Sequence, residues 1–265
     1  MKSNLKRSGA AAAALFASTL VLAGCSNADN NSGDSNGGES NYDMADVSGT
    51  LNGEGASSQQ NAMENVFGPA FSESGSTLAY NATGSGAGQE QFLANQVDFA
   101  GSDSPLKDEQ VETAAKRCGG NEAWHLPMVI GPVAVAYNLN GVDTLNLNTE
   151  TIAKIFKGEI KKWNDEAIAA DNEGTDLPDK DITVIFRSDE SGTSANFQKF
   201  LKAATGDWDS EGKQFPDSVG EGANGSSGVA DQVASIDGAI TYVEAGFAKQ
   251  KENVSTAAID FGHGP

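Results

Sequence analysis

From residue 47 onward, short apolar runs alternate with longer amphipathic stretches, which leaves few architectures open to the chain. The predicted strands are residues 77–81, 97–101, 126–131, 133–138, 182–186 and 239–243. The predicted helices are residues 58–66, 87–95, 105–116, 149–156, 193–203 and 229–236. Strands that alternate with helices in this way predict an α/β protein whose strands are largely parallel.

The N-terminus predicts export and lipid attachment. Residues 1–24 have the pattern of a secretory signal peptide, because basic residues precede an apolar run that is short for a membrane span. The run ends in Leu-Ala-Gly-Cys, which resembles the lipobox of bacterial lipoproteins, so we expect lipid attachment, including palmitate, at Cys25. Residues 25–46 are rich in Asn, Ser, Gly and Asp, and we expect a disordered tether. The predicted location is the extracytoplasmic face of the cell membrane.

The charge of the chain restricts its partners. The 265 residues carry a formal net charge of −20 at pH 7. Such a surface repels nucleic acid and anionic lipid headgroups. We expect a monomer without cofactor or metal.

Three loops share one design, in which an extended segment runs into glycine and hydroxyl residues and a helix follows. They are residues 53–58, 83–88 and 187–194. The N-terminus of a helix offers unpaired N–H donors and a partial positive charge, and glycine lets an anion approach the backbone. Any one such loop is commonly a simple helix cap. Three together, one of them with Arg187, favour an oxyanion site.

The order of six sequence blocks resembles the PstS-type phosphate-binding proteins of bacterial phosphate-specific ABC transporters. The blocks are residues 51–57, 84–86, 97–103, 160–168, 187–194 and 238–244. The resemblance implies a non-enzymatic protein that binds inorganic phosphate outside the cell and delivers it to the permease subunits of an ABC importer.

The resemblance also implies which residues bind phosphate. They are Ser57, Ser58, Ser85, Asp103, Arg187, Ser191, Gly192 and Thr193. Asp189 is expected to orient Arg187, and Ser58 to contribute its backbone N–H. Asp103 is expected to accept the proton that phosphate carries and sulfate lacks, which rejects sulfate. From the residues alone, Asp103 is equally well explained as the N-cap of a following helix.

The implied fold is the two-lobed periplasmic-binding-protein type II architecture, with ligand in the cleft between the lobes. We expect residues 47–128 to form lobe 1, residues 129–241 to form lobe 2, and residues 242–265 to return to lobe 1. Chain crossings are expected near 128–132 and 240–243. Because the chain ends earlier than the family pattern, lobe 1 is expected to be incomplete at its C-terminus.

Other functions remain open on the residues. A related receptor could bind sulfate, molybdate or an organophosphate, and a passive surface lipoprotein would bind no ligand. A serine hydrolase would need Ser85 or Ser191 as nucleophile with His125 or His263 as base. The acidic residues 207–212 resemble the start of a calcium loop, but Ser218 stands where the last carboxylate ligand belongs.

Overall fold

The computed structural model describes residues 48–262. Its strands are β1 (Gly49–Gly55), β2 (Ser76–Asn81), β3 (Phe99–Gly101), β4 (Val133–Asn138), β5 (Asn146–Asn148), β6 (Thr183–Arg187), β7 (Glu221–Ala223), β8 (Ala239–Glu244), β9 (Ser255–Thr256) and β10 (Ala258–Asp260). Its helices are α1 (Gln60–Ala62), α2 (Gly68–Glu73), α3 (Ser85–Leu93), α4 (Asp108–Arg117), α5 (Thr149–Phe156), α6 (Glu166–Asp171), α7 (Gly192–Thr205), α8 (Gly225–Ser235) and α9 (Ala245–Ala248). Before and after α1 lie a 3-10 turn (Ser57–Gln59) and a π-helical turn (Met63–Phe67).

Several helices begin directly after a residue whose side chain caps the helix N-terminus. The Asn148 side chain accepts a hydrogen bond from the N–H of Thr151 at 2.7 Å, and α5 begins at the next residue. In the same way, Asp165 caps α6 and Ser191 caps α7. Such side chains satisfy N–H groups that have no partner within the helix. The predicted helix over 149–156 and the predicted strand over 133–138 are both confirmed.

The first lobe, residues 49–117, is built on a three-stranded parallel sheet of order β2-β1-β3. Because the strands are parallel, their carboxyl ends share one edge, and ligands of α/β proteins bind at that edge. The segments that leave this edge carry Ser57 and Ser58 after β1, Ser85 after β2 and Asp103 after β3.

The second lobe, residues 133–260, is built on a five-stranded sheet of order β7-β6-β8-β4-β9. Strand β6 runs parallel to β7 and β8, whereas β4 is antiparallel to β8 and β9. The carboxyl ends of β6, β7 and β8 again lie together. They lead to Arg187, to Ser226 and to Glu244, respectively.

The main apolar core lies in the second lobe, between its sheet and the surrounding helices. Its largest buried side chains include Trp163, Tyr137, Tyr242, Phe156 and Leu201. The indole N–H of Trp163 donates to the carbonyl of Gly238 at 3.0 Å, so its one polar group is satisfied. This core gives β6 and β8 a rigid base on which the residues at their carboxyl ends are held.

Two expectations about the chain path are wrong. Residues 126–131 form no strand. The return of residues 242–265 to the first lobe is also not observed in their described part, because β9 pairs with β4 and β10 pairs with β5. Both partners belong to the second lobe. Strands β9 and β10 pair with strands that lie more than 100 residues earlier in the sequence. The local sequence of the two strands does not reveal such partners.

Several predictions fall on residues outside the described range. The signal peptide, the tether, Cys25 and His263 all belong to this group. Within residues 48–262, no helix combines the length and the apolar character that a membrane span requires. Cys118, which is described, is a free and partly buried thiol.

Candidate anion-binding site

Two serines, one from each lobe, meet where strands of both sheets end. The Ser57 hydroxyl accepts a hydrogen bond from the N–H of Ser226 at 2.9 Å and shares another with the Ser226 hydroxyl at 3.0 Å. Both residues are buried. Ser57 lies in the first lobe and Ser226 in the first turn of α8, so their contact joins the lobes.

Arg187 provides a buried positive charge at the end of β6. Its Nε donates to Asp189 at 2.7 Å, its Nη2 donates to the second Asp189 oxygen, and its Nη1 donates to the Ser226 hydroxyl at 3.1 Å. The residue is 2% exposed. A guanidinium has five N–H hydrogens. The three bonds to these described partners therefore leave two hydrogens with which the fork can meet an oxyanion.

Asp189 holds this arginine in place. Burial alone raises the pKa of Asp189, but the Arg187 guanidinium and the N–H of Gly225, which donates at 3.0 Å, together hold that pKa below its ordinary value. The carboxylate thus connects the end of β6 to the first residue of α8. It also lies beside Gly84, where an added Cβ would come within 2.5 Å of an Asp189 oxygen. The expected orienting role of Asp189 agrees with this geometry.

Asp103 contributes a carboxylate from the first lobe. Its two oxygens accept hydrogen bonds from the hydroxyls of Ser58 at 2.6 Å and Ser85 at 3.4 Å. Burial and then the negative charge of Glu244 raise the pKa of Asp103, while Ser58, Arg187 and Ser85 act in the opposite direction. Because the Ser58 hydroxyl hydrogen is donated to Asp103, the backbone N–H that Ser58 is expected to offer to a ligand stays a prediction.

The start of α7 forms the wall of the site on the side of the second lobe. The Ser191 hydroxyl accepts from the N–H of Ser194 at 3.1 Å, and both Ser191 and Thr193 are buried. Gly192 lies so close to the first lobe that an added Cβ would be 2.5 Å from the Ser85 hydroxyl and 2.6 Å from the Asp103 Cβ. Only a residue without a side chain permits this approach.

Two residues of β8 support the same wall. The Tyr242 hydroxyl accepts from the N–H of Arg187 at 3.2 Å and shares a hydrogen bond with the Ser194 hydroxyl at 2.6 Å. Burial raises the pKa of Tyr242 to about 12, so it stays neutral. Glu244 accepts from the Thr193 hydroxyl at 2.5 Å.

The lobes are closed on one another around this site. The Asn196 side chain donates to the carbonyl of Asp103 at 3.0 Å, and the N–H of Gly86 donates to the carbonyl of Glu190 at 2.9 Å. A cavity of about 1050 Å³ is lined by Ser58, Asp103, Thr193 and Glu244, among other residues. Its lining also includes the exposed apolar residues Trp124, Leu126 and Ile130.

Of the eight residues that the resemblance implies as phosphate-binding, Ser58, Asp103 and Thr193 line this cavity. The other five lie at the strand ends and helix starts of the cleft between the lobes: Ser57, Ser85, Arg187, Ser191 and Gly192. Sequence reasoning missed Ser226 and Glu244, which share the cleft with them. Ser226 has a local signal, because residues 221–228 again run from a strand through glycine and serine into a helix. Glu244 has none, since a glutamate at the end of a strand is ordinarily a surface residue.

The rival sites are not assembled. The His125 imidazole accepts from the N–H of Leu106 at 3.2 Å, while the Ser85 hydroxyl binds Asp103 and that of Ser191 caps α7. These contacts are not those of a Ser-His-Asp triad. In the calcium-like segment, Asp207 pairs with Lys157 at 2.8 Å, and the described residues contain no cluster of three or more metal-ligating side chains.

Comparison with known proteins identifies the family. Residues 40–264 match the PBP superfamily domain. The chain is 48% identical over 264 residues to phosphate-binding protein PstS 2 of Mycobacterium tuberculosis, covering 98% of this chain and 71% of that one. It is 46% identical over 256 residues to PstS 3 of Mycobacterium leprae, covering 94% and 68%.

Solved structures share the fold. A phosphate-binding protein from Stenotrophomonas maltophilia superposes with a TM-score of 0.62 at 24% identity, covering 82% of this chain and 65% of that one. The periplasmic phosphate-binding protein PfluDING, solved with phosphate bound, gives a TM-score of 0.62 at 24% identity, covering 80% and 62%. This chain thus spans less than two thirds of either structure. The two-lobed architecture and the extent of the sequence matches lead to one conclusion: the chain belongs to the PstS family of phosphate-binding proteins.

Proposed function

We propose that the protein binds inorganic phosphate outside the cell and delivers it to the permease of an ABC-type importer. The observation that carries this proposal is the closed cleft in which Arg187 and the first turns of α3, α7 and α8 face Asp103. Curated relatives at 46–48% identity that are named as phosphate-binding proteins support it.

The donors of the cleft suit a small tetrahedral anion. Arg187 supplies two free N–H hydrogens of a planar fork, and the segments that begin at Ser57, Ser85, Ser191 and Thr193 supply backbone N–H donors. A hydrogen bond to a charged group contributes about 1.5–3 kcal/mol. Micromolar binding corresponds to about −8 kcal/mol, so a few such bonds suffice.

Asp103 selects phosphate over sulfate. At neutral pH phosphate keeps at least one hydrogen, which a carboxylate oxygen accepts, whereas sulfate has none and would oppose its own lone pairs to those of Asp103. A buried mismatch of this kind rejects an analogue by roughly 10⁴-fold. Sulfate and molybdate receptors are the rival functions that this residue argues against. An organophosphate, which can also carry a hydrogen, is distinguished by titration with glycerol phosphate.

The protein acts by binding, without chemical turnover. A ligand that contacts both lobes favours the closed arrangement over an open one, and the permease reads closure as the signal that phosphate is bound. The hydroxyls that a hydrolase would need as nucleophiles are engaged with Asp103 and with the α7 backbone.

A lipid on Cys25 holds the protein at the membrane. The sequence Leu-Ala-Gly-Cys at residues 22–25 supports this part of the proposal, as does the polar stretch that follows it. The protein works there as a monomer. Labelled palmitate fed to expressing cells is incorporated into the wild type, and incorporation into Cys25→Ala equal to that of the wild type contradicts the anchor.

An anion panel tests the binding function. The thermal midpoint of unfolding is measured without anion and with phosphate, sulfate, molybdate or glycerol phosphate. A ligand present at 100 times its Kd stabilises the folded state by about 2.7 kcal/mol. We expect phosphate alone to raise the midpoint. A rise with sulfate or molybdate that equals the rise with phosphate contradicts the proposal.

A further inference from the structure

The loop that carries Lys213 is attached firmly to the second lobe. The Gln198 side chain, which is fully buried on α7, donates to the carbonyls of Gly212 and Gln214 at 2.9 Å each. Between them, the carbonyl of Lys213 accepts from the N–H of Ser191 at 3.1 Å, and Ser191 caps the same helix. The backbone of Lys213 is therefore fixed beside the start of α7, and its side chain extends from a rigid base.

The Lys213 side chain crosses from the second lobe to the first. Its ammonium donates a hydrogen bond to the side-chain oxygen of Gln89, which is 3% exposed and lies on α3. We call this contact the Lys213–Gln89 bridge. Burial lowers the pKa of Lys213, Lys107 acts in the same direction, and Glu190 and Glu90 oppose the change. The bridge thus forms against a cost of desolvation that an ordinary surface lysine avoids.

Gln89 also holds the residues on either side of Asp103. Its amide nitrogen donates to the Ser102 hydroxyl at 3.0 Å and to the carbonyl of Ser104 at 2.8 Å. Since a backbone carbonyl only accepts, the amide N–H₂ group must face Ser104, and the amide oxygen then faces Lys213. One glutamine therefore connects Lys213 to the loop whose carboxylate is expected to meet the ligand.

We propose that Lys213 and Gln89 are a positioning pair, whose bridge forms when the lobes close on phosphate and slows the release of the bound ion. Neither residue belongs to the set that is expected to contact phosphate. The two ends of the bridge are fixed to different lobes, so an open arrangement breaks it and a closed one restores it. This inference rests on the proposed phosphate-binding function.

The test is the rate of phosphate release from the wild type, Lys213→Met, Gln89→Met and the double variant. Radiolabelled inorganic phosphate is bound to each protein and then chased with excess unlabelled phosphate. Loss of one hydrogen bond corresponds to a factor of about two to ten, so we expect release from Lys213→Met to be faster by that factor. The association rate should stay unchanged, because the bridge forms after the encounter. Lys199→Met removes the same charge from an exposed position of α7 and should follow the wild type.

The double variant separates the bridge from a simple effect of charge. If the two side chains act as one unit, Lys213→Met has no further effect on release in a protein that already carries Gln89→Met. A full effect of Lys213→Met in that background overturns the inference, as does release from Lys213→Met at the wild-type rate. Folded wild-type protein that binds no phosphate defeats the proposed function instead.

A second measurement applies where Gln89→Met does not fold. The thermal midpoint of unfolding is measured for the wild type and for Lys213→Met, each without and with phosphate. Because the bridge belongs to the closed arrangement with ligand, we expect equal midpoints without phosphate and a smaller rise with phosphate in Lys213→Met. A midpoint that is lowered by the same amount in both conditions identifies a static structural contact and overturns the inference.

Discussion

At the scale of single residues, the site is a balance between one buried cation and three carboxylates. Arg187 is paired with Asp189, and Asp103 lies across the cleft beside Glu244. Each of these groups has lost most of its contact with water, so removing one partner leaves a buried charge without compensation. Substitutions that keep shape and change one charge are therefore the sharpest probes.

Asp103→Asn is predicted to admit sulfate. The amide has a donor where the carboxylate has only acceptors, so sulfate no longer meets opposed lone pairs. We expect the ratio of phosphate to sulfate affinity to fall by about 10²-fold or more, out of the roughly 10⁴-fold rejection that a buried mismatch provides. Calorimetric titration with each anion measures the ratio. Asp108→Asn, an exposed change on α4, should leave it unaltered, and sulfate exclusion that survives in Asp103→Asn contradicts this role.

Asp189→Asn is predicted to destabilise the protein by about 3–5 kcal/mol at pH 7, because it leaves Arg187 buried without its anion. The pKa of Asp189 is lowered in the folded state, so its stabilising effect is full above the ordinary aspartate value of about 3.9 and is lost as pH falls through the lowered value. Urea unfolding of both proteins over this range measures the effect. A difference that does not shrink at acid pH argues against the ion pair as its cause.

At the scale of elements, the site is assembled from strand ends and helix starts. Local patterns predicted much of it: residues 187–194 do run from β6 into α7, and Asn148 starts α5 at the predicted residue. What local patterns could not predict is which strand ends meet. Ser226 and Glu244 reach the cleft only because β7 and β8 join the sheet beside β6.

Gly192→Ala is predicted to abolish tight phosphate binding while the chain stays folded. The added methyl would lie 2.5 Å from the Ser85 hydroxyl, which forces the start of α7 away from the first lobe. Gly228→Ala is the matched control, because its methyl inside α8 meets only the Ala223 Cβ at 4.0 Å. Titration with phosphate compares the two variants. Equal affinity of Gly192→Ala and Gly228→Ala would mean that close approach of α7 is not needed.

At the scale of the whole molecule, the two lobes differ in how much of their apolar surface is buried. The second lobe has a large aromatic core, whereas strands of the first lobe border an apolar cavity with exposed Trp124 and Ile130. The family resemblance predicted the two lobes but assigned residues 242–265 to the first, whereas β9 and β10 in the described part of this segment pair with strands of the second. Their pairing with β4 and β5 is a long-range contact that depends on the rest of the sheet.

Asn196→Ala is predicted to weaken phosphate binding several-fold by favouring the open arrangement of the lobes. Asn196 joins α7 to the first lobe through the carbonyl of Asp103. Loss of one hydrogen bond costs about 0.5–1.5 kcal/mol, which is a factor of about two to ten in affinity. Titration measures the affinity, and small-angle scattering measures the radius of gyration without phosphate. An unchanged affinity with an unchanged radius contradicts the role of this bond in closure.

The most direct test of the account is a calorimetric titration of the wild type and of Arg187→Lys with phosphate. Lysine keeps the charge beside Asp189 but lacks the planar fork. We predict one phosphate per wild-type chain, bound at micromolar concentration or tighter, and an affinity at least about tenfold weaker in Arg187→Lys. Folded wild-type protein that gives no saturable heat, or an Arg187→Lys variant that binds as the wild type does, would contradict a phosphate site built on Arg187.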